Sequence, residues 1–166
     1  MRKSPRFILP VKFTPYPMST QTNPPSCPTL GVSVACWRGN EVLLAKRGKA
    51  PSKGLWSLPG GHVELGERLA EAALRELGEE TSVTAEIEGQ VTSLDIIRHG
   101  DAGTVAVHYV IAVFKARWIA GEAVAGDDVA AVQWRTVDDL DDLDLTPGTA
   151  DLLRTMAAGA PVMTQG

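Results

Sequence analysis

Five charged residues at fixed spacing, Glu67, Arg75, Glu76, Glu79 and Glu80, follow a glycine pair, Gly60 and Gly61. At about 100° per residue, Glu76, Glu79 and Glu80 fall on one helical arc of about 100° at the edge of an apolar stripe. The spacing therefore predicts three half-buried carboxylates. A solvated helix would intersperse lysines at i+4, whereas here one arginine, Arg75, serves three neighbouring acids. Like charges at i, i+3 and i+4 repel, and burial makes each harder to ionise, so the cluster calls for a cation. Oxygen ligands favour Mg²⁺, or Mn²⁺, over zinc.

The elements that must position these acids are legible around them. Leu69, Ala70, Ala73, Leu74 and Leu77 recur as one helical stripe, so the acids ride on an amphipathic helix. Ahead of it, residues 30–37 and 41–47 read as a hairpin about the turn Arg38-Gly39-Asn40. The following loop carries Arg47, Lys49 and Lys53, which suit phosphate or substrate contact, Arg47 most of all because it ends a strand beside the glycine turn. Trp56 either stacks on a base or packs against the sheet.

Beyond the helix, residues 83–100 and 103–121 form a long hairpin turning at Gly100–Gly103. Val105, Val107, Tyr109, Ile111 and Val113 share one face and Ala106, His108, Val110, Ala112 and Phe114 the other. Both faces read as buried, which makes His108 a core or pocket-lining residue. Arg98 and His99 at the tip are placed to reach a substrate. A loop with Glu122, Asp127 and Asp128 precedes a strand over 129–134, and loops of this kind carry catalytic groups. After an acidic turn, Thr146 as N-cap and Pro147 at the first position start a second helix that stops near Gly159. This order predicts an α+β fold, a mixed β-sheet covered by two helices.

At 166 residues and 44% hydrophobic content the chain suits one domain with a real core. Its net charge is −4, yet residues 1–18 hold Arg2, Lys3, Arg6 and Lys12 and no acid, so the rest sets 12 basic against 20 acidic residues. An acidic body argues against general nucleic-acid binding. Two cysteines, Cys27 and Cys36, are too few for a disulfide framework and read as free thiols of a cytoplasmic protein. No apolar run approaches the length of about 20 residues that spans a bilayer, which leaves no membrane partner. Residues 1–28 hold seven prolines among polar residues and are expected to be a disordered extension, within which Met18 is a second candidate start.

Gly61, Glu67, Arg75, Glu76, Leu77, Glu79, Glu80 and Val83 resemble the Nudix box, G-x5-E-x7-R-E-U-x-E-E-x-G-U with U apolar, at every fixed position but one. Ser82 stands where the pattern has glycine, a site often left-handed, where a Cβ costs roughly 1 kcal/mol. The resemblance covers residues 30–158. It implies a Nudix α/β/α sandwich over residues 29–160, with the catalytic helix and a C-terminal helix on the sheet and 161–166 a loose tail. The implied reaction is Mg-dependent hydrolysis of the diphosphate linkage in a nucleoside diphosphate derivative by water attack on phosphorus. Divalent ions would neutralise the diphosphate charge and acidify a bound water.

By the same resemblance Glu76 and Glu80 are metal ligands, Glu79 is a ligand or a partner of the ligands, and the Gly61 carbonyl completes the set. Glu67 and Arg75 orient the cluster, and the general base is Glu76 or an acid from the loop before the last strand, where Asp128 is preferred. Arg47, Trp56 and Arg98 are the candidate substrate contacts. The partner implied is a small nucleotide, ADP-ribose-like first, with a MutT-like nucleoside triphosphate pyrophosphohydrolase as the alternative and room for a homodimer. A non-catalytic nucleotide sensor is the reading of another class, and the intact acid set speaks against it.

Overall fold

The computed structural model describes residues 27–50, 52–100 and 103–162. Most of the expected N-terminal extension, residues 1–26, and residues 163–166 of the tail lie outside the described residues. Among the described residues the order is β1 (Thr29–Arg38), β2 (Glu41–Arg47), β3 (Trp56–Ser57), α1 (Leu69–Thr81), β4 (Thr84–His99), β5 (Val105–Ala120), β6 (Val129–Thr136) and α2 (Thr149–Ala157).

The strands form one mixed sheet in the order β3-β2-β1-β5-β4, with β6 also pairing β2. β1 runs parallel to β5, with Thr29 opposite Tyr109 and Trp37 opposite Arg117. Its other neighbours are antiparallel, β2 across the Gly39 turn and, further back, the stretch that carries Gly61. Strand alternation then divides the core in two. Val32, Val34, Cys36 and Leu43 face α1 through Ala72, Ala73 and Leu77, while Ala35, Val42 and Leu44 face α2 through Leu153 and Met156. Leu77 and Leu153 are fully buried, and each contributes about 1.5–3 kcal/mol of apolar burial. A helix on each face of a mixed sheet is the expected sandwich. The turn expected at Gly100–Gly103 is closed by the Gly100 N–H donating to the Thr104 carbonyl at 2.8 Å.

Several local expectations are corrected. Leu74 is 37% exposed, whereas Ala72, outside the expected stripe, is fully buried. The buried face of α1 is thus turned so that Ala72 on one side and Ala73 and Leu77 on the other bracket Glu76 and Glu80. Those two carboxylates lie within the packing face instead of at its edge, and Glu79 falls outside it, exposed. Two small alanines let the helix approach the sheet closely there.

The distal part of the long hairpin, Val105–Ile111, is only partly covered, and burial begins at Ala112. The reason is geometric: β1 begins opposite Tyr109, so β5 runs on past its neighbour. His108 is accordingly a partly exposed residue, its Nε2 3.9 Å from Asp95 Oδ1. Thr146 and Pro147 do not start α2. They form a turn in which the Thr149 N–H donates to the Thr146 carbonyl at 3.1 Å, and Gly148, at φ 82°, is the N-cap. A residue at positive φ cannot extend a right-handed helix backwards, so α2 starts at Thr149.

Candidate active site

The site is built where residues 59–63 lie against β1. The Val34 N–H donates to the Pro59 carbonyl and the Val32 N–H to the Gly61 carbonyl, each at 2.9 Å, so this stretch runs along β1. One lone pair of the Gly61 carbonyl is therefore committed to β1. A Cβ on Gly61 would sit 2.4 Å from the Glu76 carboxyl carbon, closer than any side chain allows, so the glycine leaves the space that Glu76 fills. Its neighbour Gly60 donates its N–H to Glu80 Oε2 at 2.9 Å. Sequence reasoning did not give Gly60 a role; the adjacent glycine in the same turn was the available signal.

Arg75 fixes the other side. Its Nε and Nη2 donate to the two oxygens of Glu67 at 2.9 and 3.0 Å, a bidentate pair. Nη1 donates to Glu76 Oε1 at 2.9 Å and to Glu79 Oε2 at 3.3 Å, and Nη2 also reaches the His62 carbonyl at 3.0 Å. The hydrogen bond from Arg75 holds the Glu67 carboxyl below the usual carboxylate range. The same bonds, Glu67's first, raise the proton affinity of the guanidinium still further, so Arg75 stays charged. One arginine thus ties Glu67, Glu76 and Glu79 to the backbone of the glycine turn.

Glu80 behaves differently. Burial pushes its carboxyl up to about 7, against the Gly60 hydrogen bond and Arg47, which favour the ion, and together with Glu76 and Asp128, which oppose it. Glu80 thus senses the charges of Glu76, Arg47 and Asp128. Arg47 ends β2 with its Nε buried and without a hydrogen-bond partner. Asp128 stands at the start of β6 in an ion pair with Lys49, so the lysine of the basic loop meets this acid.

Not every expected residue joins them. Trp56 pairs with β2 in the two-residue strand β3, packs against the core on the α2 face and lies under the Lys46 ammonium, 5.7 Å from the ring centre. That is the sheet face opposite the carboxylates. Arg98 stands on β4 opposite Val107, with β5 between it and β1. Glu122 and Asp127 are exposed in the loop that leads to Asp128.

Among the described residues no three Asp, Glu, His or Cys side chains are gathered tightly enough to enclose a metal ion. Glu79 faces solvent with 62% of its side chain exposed, drawn towards Arg75. The donor chemistry nonetheless fits a hard divalent cation. It is all oxygen, and two acids on successive turns of α1 are held in the packing face, where a positive charge would relieve their repulsion.

A family model for the NUDIX domain matches residues 28–156. An ADP-ribose pyrophosphatase of Methanocaldococcus jannaschii is 34% identical over 116 residues, which is 68% of this chain and 64% of that relative. The chain thus spans just under two thirds of that relative's length. An uncharacterized Nudix hydrolase of Bacillus subtilis, YvcI, is 30% identical over 72% of this chain and 73% of its own length. Among solved structures, a MutT NUDIX hydrolase from Burkholderia pseudomallei superposes with a TM-score of 0.68 at 32% identity, covering 78% of this chain and 98% of that one. No helix among the described residues is long and apolar enough to cross a membrane. With the glycine turn, the Arg75 lock and the paired carboxylates in place on an α/β/α sandwich, the chain belongs to the Nudix hydrolase family.

Proposed function

We propose that this chain hydrolyses the diphosphate linkage of a nucleoside diphosphate derivative, ADP-ribose-like by preference, with Mg²⁺ or Mn²⁺ as cofactor. The observation that carries the reading is the half-buried Glu80 carboxyl, anchored by the Gly60 N–H and under the influence of Glu76 and of Arg47, whose Nε is buried without a partner. Two acids are kept inside a helix–sheet contact at a cost that a structural role does not explain. A divalent cation bound there would supply charge neutralisation for the diphosphate oxygens and a more acidic water.

Glu76, Glu79, Glu80 and the Gly61 carbonyl would hold the cation, and Glu67 with Arg75 keeps Glu76 at its station. The Arg47 guanidinium binds a phosphate oxygen. Asp128 accepts the proton of the attacking water at its carboxylate, and Arg98 on the hairpin meets the part of the substrate remote from the cleaved bond. Trp56 is assigned to packing. The preference for an ADP-ribose-like substrate is supported by the name of the archaeal relative, and that for a nucleoside triphosphate by the MutT description of the Burkholderia structure.

Incubation with a panel of nucleotides and Mg²⁺ tests the reading. ADP-ribose converted to AMP and ribose 5-phosphate is the expected outcome. Release of pyrophosphate from a nucleoside triphosphate, with ADP-ribose untouched, selects the MutT-like reading. Nucleotide binding without turnover across the panel selects a sensor.

A further inference from the structure

The loop before β6 could hold Asp128 in many positions, yet three contacts fix it. From the helix side, the Gly126 N–H donates to the Glu80 carbonyl at 2.9 Å and the Val124 N–H to the Thr81 carbonyl at 2.9 Å. The loop thereby caps carbonyls that the end of α1 leaves free. A Cβ at Gly126 would lie 2.0 Å from the Glu79 carbonyl oxygen, so this approach requires glycine. From the β2 side, the Gly48 N–H donates to the Asp128 carbonyl at 3.2 Å, and a Cβ at Gly48 would lie 2.8 Å from that same oxygen.

The third contact is the ion pair between the Lys49 ammonium and Asp128 Oδ1, 79 residues apart in sequence. In addition, the pairing of β2 with β6 slips between Lys46 and Arg47, opposite Ala131 and Val129, leaving Ala130 as an extra residue two positions after Asp128. Bulges of this kind re-aim side chains beside active sites.

We infer that Lys49 is a positioning residue: carried by the Gly48 turn, its ammonium holds the Asp128 carboxylate in the orientation that faces the α1 acids. The inference rests on the reading of Asp128 as the group that takes the proton from water. Lys49 then acts through Asp128 and not on the substrate. An exposed ion pair adds little to stability, so its effect belongs in the rate. Misplacing a proton acceptor by about an ångström lowers turnover by one to two orders of magnitude.

The test compares Lys49→Met, Lys49→Arg, Asp128→Asn and the double variant Lys49→Met/Asp128→Asn in Mg²⁺-dependent turnover of the substrate found by the nucleotide panel. The expected pattern is kcat lowered about 10-fold or more by Lys49→Met with KM within about 2-fold, most of it restored in Lys49→Arg, and no further loss when Lys49→Met is added to Asp128→Asn. Without metal or substrate, amide exchange at Gly48 should be faster in Lys49→Met, because the hydrogen bond to the Asp128 carbonyl loses its support. A raised KM at constant kcat, or a loss that persists undiminished in the Asp128→Asn background, overturns the inference and makes Lys49 a substrate contact while leaving the reading of Asp128 standing. Full activity in Asp128→Asn overturns that reading, and the inference with it.

Discussion

The two faces of the sheet both carry charge clusters, and they hold their charges in opposite ways. On the α2 face Arg135 pairs with Asp139 at 2.6 Å and Asp142 at 2.9 Å, and Arg154 pairs with Asp141 at 2.6 Å. Every acid there is more than 60% exposed. The acids sit outside the apolar packing of Leu140, Leu153 and Met156, two arginines serve three acids, and each carboxylate stays open to water. On the α1 face Glu76 and Glu80 lie inside the packing, and Arg75 is shared among four side-chain oxygens of Glu67, Glu76 and Glu79 and one carbonyl. The difference separates charge that decorates a fold from charge that a fold is bent to hold.

The sharpest way to break this comparison is to neutralise one acid on each face. Glu76→Gln and Glu80→Gln keep the shape and remove the charge, and each should lower Mg²⁺-dependent diphosphate hydrolysis about 10³-fold, the scale of losing a ligand or base in the chemical step. Asp141→Asn, across the sheet, should leave kcat within about 2-fold, since an exposed pair is worth only about 0–1 kcal/mol. Turnover retained in either glutamate variant would remove the metal assignment from α1.

Apolar truncation should give the reverse pattern. Leu153 is fully buried in the α2-side core, and Leu153→Ala should cost about 2–5 kcal/mol of stability by transfer and cavity terms. The folded fraction should keep its kcat, because Leu153 packs on the sheet face opposite α1. Denaturant midpoints with single-turnover rates measure both, and a loss of kcat at full folding would show that the two faces are coupled.

What was legible in the sequence follows the same division. The spacing of Glu67, Arg75, Glu76, Glu79 and Glu80 announced the site because an ionic cluster depends on residue type and helical phase, both of which are local. The long hairpin and the mixed sheet were also legible, since alternation and Gly-rich turns mark them. The phase of the buried face of α1 was not, because Ala72 and Leu74 are told apart only by how closely the sheet approaches. The role of Trp56 was left open because a tryptophan at a strand start suits either face, and the register with Lys46 decides it. The grip of Gly48 and Lys49 on Asp128 joins segments that only the β2–β6 pairing brings together.

Proton linkage sharpens the comparison at one residue. Burial first, with Glu76 and Asp128 adding to it, raises the Glu80 carboxyl from its ordinary 4.5 to about 7 in the metal-free fold. The folded state therefore binds this proton more tightly than the unfolded chain. The stabilisation is fully present below about pH 4.5 and is lost as pH rises through about 7. Melting curves of metal-free protein should show the parent losing stability relative to Glu80→Gln between those values, with Mg²⁺ restoring it at the upper end. Parallel curves for the two proteins would contradict the burial of this acid.

The smallest expected effect lies at the exit of α1, where Ser82 is the only non-glycine at positive φ among the described residues, at φ 58° and ψ 15°. Its N–H still closes the helix on the Gly78 carbonyl at 2.9 Å, so the geometry is the left-handed cap that glycine adopts without strain. A Cβ there costs roughly 1 kcal/mol, while glycine gives part of that back through the greater freedom of the unfolded chain. Ser82→Gly should therefore raise stability by about 0.5 kcal/mol. Activity should not change, because the Gly126 and Val124 hydrogen bonds go to the Glu80 and Thr81 carbonyls, upstream of the substituted residue. A change in kcat without a change in midpoint would mean instead that the strain at Ser82 sets the position of the loop carrying Asp128, and the α1 face would then include its own exit.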